Sequence, residues 1–185
     1  MRTRSSVACQ KGASLIEMMI AILVLTVGLI GSAALMAVAI SSNARSRRDS
    51  TSTAVAQLVL DQISAVPLGG STTSLTITDC AGNSTTVNTS GTTAGSGANL
   101  TGSGSIDFTQ SFGSVSAGYA MTYTVCSVSN GLQTAYDVRW NVTKLPSGKE
   151  EFVVVGAQIL GTNSNSPQFF AAPVSIRTVV GNAGT

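Results

Sequence analysis

The sequence predicts an α+β protein: a long N-terminal α-helix, membrane-spanning in its first half, packed on a C-terminal antiparallel β-sheet. Three observations carry this. No charge occurs from Met18 to Ala44, and Met18 to Ile40 is nearly all apolar. Helical periodicity then continues with no proline before Pro67. Beyond Pro67 the 3.6-residue period gives way to two-residue alternation, clearest at 119–125 and 136–143.

Residues 1–12 are short, polar and basic, with Arg2, Arg4 and Lys11 and no acid. The apolar run that follows reaches about 35 Å as a helix, enough to cross a hydrocarbon core. The basic flank predicts a cytoplasmic N-terminus. Val55, Leu58, Val59, Ile63 and Val66 then recur at helical spacing between Gln57, Asp61, Gln62 and Ser64. Residues 15–66 therefore read as one helix, lipid-compatible first and amphipathic second. The competing reading is an ordinary signal peptide cut at Ala37-Val38-Ala39. The apolar core is longer than such peptides carry, and Glu17 at its start is out of place there.

Glu17 calls for a partner, because a carboxylate in a bilayer costs at least a few kcal/mol. On a helical wheel Ala21, Val24, Gly28 and Gly31 fall within about 40° of it, with Ser32 beside them. Small residues on one face let membrane helices approach closely, so this face reads as a helix-packing contact. The alternative is a glutamate that reaches water at the interface. Arg45, Arg47 and Arg48 read as a solvated helix face with Asp49 as local partner, or as a dock for an acidic neighbour.

The C-terminal part, 67–185, opens on a Pro67-Leu68-Gly69-Gly70 turn. Leu75–Thr78 is a short strand candidate, and Ala81–Ser105 a polar loop with at most one weak strand. Tyr119, Met121, Tyr123 and Val125 alternate with polar or small residues. So do Tyr136, Val138, Trp140 and Val142, against Asp137, Arg139, Asn141 and Thr143. Both read as half-buried strands. Asn130-Gly131 and Pro146-Ser147-Gly148 mark turns. Phe152–Val155 is apolar on both faces and reads as central, and Val174–Val180 is the last strand.

Composition narrows the function. Charged residues are 10% of the 185 and the net charge is +2, so nucleic-acid binding lacks its electrostatic footprint. Histidine is absent, which removes Ser-His-Asp and Cys-His arrangements. Glu150-Glu151 beside Lys149 reads as a solvated pair. Asp79, Asp107 and Asp137 lack calcium-loop spacing. The expectation is no enzyme, no cofactor and no metal. Asn-x-Ser/Thr triplets at Asn83, Asn88, Asn99 and Asn141 are expected by chance in so Ser/Thr-rich a chain. Of three cysteines, Cys9 lies near the N-terminus, leaving Cys80 and Cys126 as the pair an exported domain would oxidise, against two free thiols.

A basic leader ending in Lys11-Gly12, then Ala13-Ser14-Leu15-Ile16-Glu17 and a long apolar helix, resembles the signal of type IV prepilins and type II secretion pseudopilins. The likeness covers about residues 1–60. It implies a leader over 1–12, cleavage between Gly12 and Ala13 by prepilin peptidase, N-methylation of Ala13, and a helix over 13–66 crossing the membrane at about 18–40. It also implies Glu17 pairing with a neighbour's N-terminal ammonium, and the pilin fold for the periplasmic domain, with Cys80–Cys126 joining the loop to a central strand. The family usually has Phe at the first mature position, where this chain has Ala13, and major pilins often carry a proline that is absent here. Val27–Ala37 looks most like PilV-type minor pilins. The implied function is a minor pilin-like structural subunit. The alternatives are a minor pseudopilin of a type II secretion system, or a secreted binding domain or enzyme. The implied partners are other pilin or pseudopilin subunits, prepilin peptidase and the inner-membrane assembly platform. The protein would sit in the inner membrane with its N-terminus cytoplasmic, and later in the periplasm or on a surface pilus.

Overall fold

A computed structural model describes residues 14–66, 74–127, 133–160 and 173–181. The turns read at 67–70 and at Asn130-Gly131 lie outside them. The chain forms two compact units that divide between Ala44 and Arg45.

Helix α1 is Leu15–Ser64. Throughout the first unit its described residues are exposed. In the second unit it buries Ser52, Val55, Ala56, Val59, Leu60 and Ile63, a stripe at three- and four-residue spacing. This shifts the predicted stripe: Leu60 is inside, whereas Leu58 is 39% exposed. The stripe includes Ser52, whose hydroxyl bonds the Arg48 carbonyl at 3.0 Å, and Ala56. Neither is strongly apolar, so apolar spacing alone places the stripe too far round the helix.

Seven strands follow: β1 (Ser74–Thr78), β2 (Ser84–Asn88), β3 (Ser96–Gly97), β4 (Ala120–Cys126), β5 (Gln133–Lys144), β6 (Glu150–Ile159) and β7 (Val174–Gly181). A single 3₁₀ turn, Phe112–Ser114, lies among them. Strands β4 to β7 form the expected antiparallel meander. The hairpin between β5 and β6 closes over Leu145–Lys149, with the Leu145 N–H bonded to the Glu150 carbonyl at 2.9 Å. Gly148 there has φ 68°, a conformation that suits glycine. The 81–105 segment departs from the loop reading. It contains β2, which pairs with β1 in a separate two-stranded sheet, and β3, which pairs with β5 beyond the end of β4. Its Ser/Thr/Asn composition conceals strands held mainly by backbone hydrogen bonds, with Val87 as the inward anchor.

The cross-strand register places Tyr136, Val138, Trp140 and Val142 on one face, with Val153, Val155 and Ala157 opposite them. All are buried in one core with the α1 stripe, Ile77 and Val87. Thr51 of α1 hydrogen-bonds Tyr136, whose phenol burial pushes above its usual pKa. The other face carries Asp137, Arg139 and Asn141, which the alternation assigned to solvent. They are also buried, because the segment 98–116 lies over them. The half-buried reading of β5 is therefore corrected: this strand is buried on both faces.

Candidate functional site: the N-terminal helix and its motif

The site begins where α1 begins. The Ser14 carbonyl accepts hydrogen bonds from the Glu17 N–H at 2.9 Å and the Met18 N–H at 3.2 Å, closing the first turn. Glu17 sits in that turn, where a negative charge interacts favourably with the unpaired N–H groups of the helix start. Gly12 and Ala13, the predicted cleavage and methylation residues, lie outside the described residues. Ala21, Gly28, Gly31 and Ser32 are exposed along the helix. A Cβ built at Gly28 or Gly31 meets no heavy atom within 4 Å, so this face is open within the chain. The Ser32 hydroxyl bonds the Leu29 carbonyl at 2.9 Å. Thr26 and Ser41 do the same to Leu23 and Val38. Each hydroxyl is satisfied along its own helix, as a polar group in hydrocarbon must be.

Large apolar side chains run all round this half, from Leu15 at 79% exposure to Ile40 at 67%. Burying one such side chain is worth about 1.5–3 kcal/mol, so covering ten of them exceeds the whole stability of a typical domain, about 5–15 kcal/mol. A surface of this kind does not stay in water. Lipid or other apolar helices would be a suitable cover.

The C-terminal domain holds a second notable cluster, at the junction of its two sheets. Cys80, in the β1–β2 turn, is disulfide-bonded to Cys126 at the end of β4. Strand β4 pairs with β5 alone in the five-stranded sheet, so the bond ties the hairpin to an outer strand and not to a central one as expected. Asp79, next to Cys80, doubles the link. Its Oδ1 accepts the N–H groups of Ala81 (3.0 Å) and Asn83 (2.8 Å), and its Oδ2 accepts Asn83 Nδ2 (3.0 Å) and the Thr124 N–H of β4 (3.1 Å). Burial alone would raise its pKa, but these bonds outweigh it and hold the carboxyl at about 2. In sequence Asp79 is weighed only as a calcium ligand, and its turn-capping role is missed. The available signal was an Asp opening the turn Asp79-Cys80-Ala81-Gly82-Asn83, where a side chain can cap its own backbone.

Two further expectations change. Glu151 is buried beside the exposed Glu150. Burial raises its pKa, opposed by Lys144, whose Nζ lies 4.0 Å away, and by the Gly91 N–H. Arg139 and Asp137 form a buried ion pair at 2.6 Å. These two pairs are the ion pairs among the described residues, and Asp49 joins neither; its Oδ1 has no hydrogen-bond partner. Among the described residues no three His, Cys, Asp or Glu side chains gather as a metal site.

Residues 8–33 match the model of the prokaryotic N-terminal methylation motif. No curated protein and no solved structure matches the chain. The chain thus carries a type IV prepilin-like motif on an exposed apolar helix, followed by an α+β domain of pilin-like architecture. It is similar to pilins and pseudopilins, a class of structural subunits that are anchored in the membrane, processed by prepilin peptidase and assembled with one another.

Proposed function

We propose that the protein is a minor pilin-like structural subunit of a type IV pilus, of PilV type. Prepilin peptidase cuts between Gly12 and Ala13, Ala13 is methylated, and the helix holds the subunit in the inner membrane until an assembly platform adds it to the filament. Glu17 then meets the N-terminal ammonium of a neighbouring subunit. In hydrocarbon an unpaired charge is heavily penalised, so the pairing sets axial register. The face bearing Ala21, Gly28 and Gly31 packs on adjacent helices.

The observation that carries this reading is the methylation motif at 8–33 seated directly on α1. The helix also runs without a break through Ala37–Ala39, which favours a retained helix over a removed signal peptide. Type II secretion pseudopilins share the motif, and the filament with which the protein copurifies separates the two.

The decisive experiment is mass spectrometry of the mature N-terminus. A start at Ala13, carrying a methyl group, supports the proposal; a start at Ile40 overturns it. In a second test Glu17→Gln leaves cleavage intact and lowers incorporation into filaments, and native incorporation of that variant would refute the role of Glu17.

A further inference from the structure

The helix carries a strongly charged patch close to the end of its apolar half. Arg45, Arg47 and Arg48 are exposed and unpaired by any acid among the described residues. They follow closely on the last large apolar residue of the span, Ile40. In an ideal helix Arg45 stands about 7.5 Å past Ile40 and Arg48 about 12 Å past it, at or just outside the headgroup layer of a bilayer that ends there. Side chains on a helix lean toward its N-terminus, here back toward the apolar run. Long arginine stems lie along apolar surface while the guanidinium stays in a polar layer.

The angular spacing decides what they face. At 100° per residue Arg48 lies about 60° from Arg45 and Arg47 about 160° from it, so Arg45 and Arg48 share one side of the helix and Arg47 points to nearly the opposite one. Arg45 and Arg48 lie on the side that the buried stripe takes up from Ser52 onward, where Arg48 acts electrostatically on Tyr136, and Arg47 lies nearly opposite that side. One acidic protein surface meets one side of a helix. A layer of phosphates surrounds the helix completely, and guanidinium groups bind phosphate oxygens with paired hydrogen bonds.

We propose that Arg45, Arg47 and Arg48 form a collar that binds the phosphate groups of anionic phospholipids at the end of the membrane span. The proposal rests on the reading that α1 lies in the bilayer before assembly. The collar fixes how deep the helix sits, and it adds a contact that must be released when the subunit leaves the membrane.

The test uses the full chain reconstituted in phosphatidylcholine vesicles containing a minor fraction of phosphatidylglycerol. Electron spin resonance of spin-labelled lipids then reads which lipid is held at the protein surface. The expected result is a preference for labelled phosphatidylglycerol over labelled phosphatidylcholine of at least about twofold, weakened by salt. In R45Q/R47Q/R48Q the two labels fall to parity. Parity in the native chain overturns the proposal, as does a preference that survives in the triple variant. Parity combined with loss of filament incorporation in that variant assigns the arginines to an acidic neighbouring subunit instead. If neither label is immobilised, the membrane reading falls and the collar with it.

Discussion

At β5 the two faces of the five-stranded sheet are both buried, by opposite chemistry. One is covered by α1 and filled with Val138, Trp140, Val142, Val153 and Val155, all 0–1% exposed. The other is covered, among the described residues, by the segment 98–116 with its single 3₁₀ turn. There Arg139 donates through Nε and Nη2 to Asp137 and through Nη1 to the Gln110 carbonyl at 2.6 Å. Its guanidinium carbon lies 5.1 Å from the ring centroid of Phe108 and 5.7 Å from that of Phe112. Asn141 Nδ2 donates to the Ala98 carbonyl at 2.8 Å. The apolar face is held by non-directional burial and tolerates small changes of shape. The polar face depends on every partner being present, because a buried charge left alone is costly.

That contrast is open to test. The largest effect is expected on the polar face: Asp137→Ala strands Arg139 and lowers stability by about 3–5 kcal/mol, measured by chemical denaturation of the full chain in detergent. On the apolar face Ile63→Ala costs about 2–5 kcal/mol. The same change at Ile22, in the exposed half of α1, leaves the domain's transition where it was. If Ile63→Ala and Ile22→Ala behave alike, the division of the helix is wrong.

A third variant probes how closely the cover fits. A Cβ at Gly156 would stand 2.9 Å from Ile106 Cβ and from Phe108 Cε2. Gly156→Ala is therefore expected to cost about 1–3 kcal/mol by overpacking. It should raise proteolysis within 98–116 more than elsewhere.

The smallest effect is acid sensitivity at the sheet junction. Asp79 titrates near 2 when folded, against 3.8 for a free carboxyl. The native state thus binds fewer protons than the unfolded one between these values. Its contribution is complete above the unfolded value and is lost as pH falls through the folded one. Thermal melts from pH 5 down to about pH 2 should show a decline that is shallower in Asp79→Asn.

The sequence made one face legible and hid the other for the same reason. Val138, Trp140 and Val142 announce burial by their chemistry, and so the strand, its register and its inward side could be read. Asp137, Arg139 and Asn141 are polar letters whose burial depends on a segment distant along the chain. Gly156 and Ile106 fit one another only in three dimensions. The same limit explains β2, where Ser84, Thr85 and Thr86 pair through the backbone, and Glu151, whose burial follows from the approach of Gly91. The helix motif was legible because it is a linear pattern, matched over residues 8–33 of one stretch of chain. Gly12, Ala13 and Glu17 needed no tertiary partner to be noticed.

The Cys80–Cys126 bond has a consequence for proteolytic damage. With a separation of 46 residues, it turns the stretch holding β2, β3 and the cover over Arg139 into a closed ring. A protease that severs a peptide bond inside this ring leaves both fragments covalently attached. The nicked molecule would run as one species on a gel until a reductant separates the pieces.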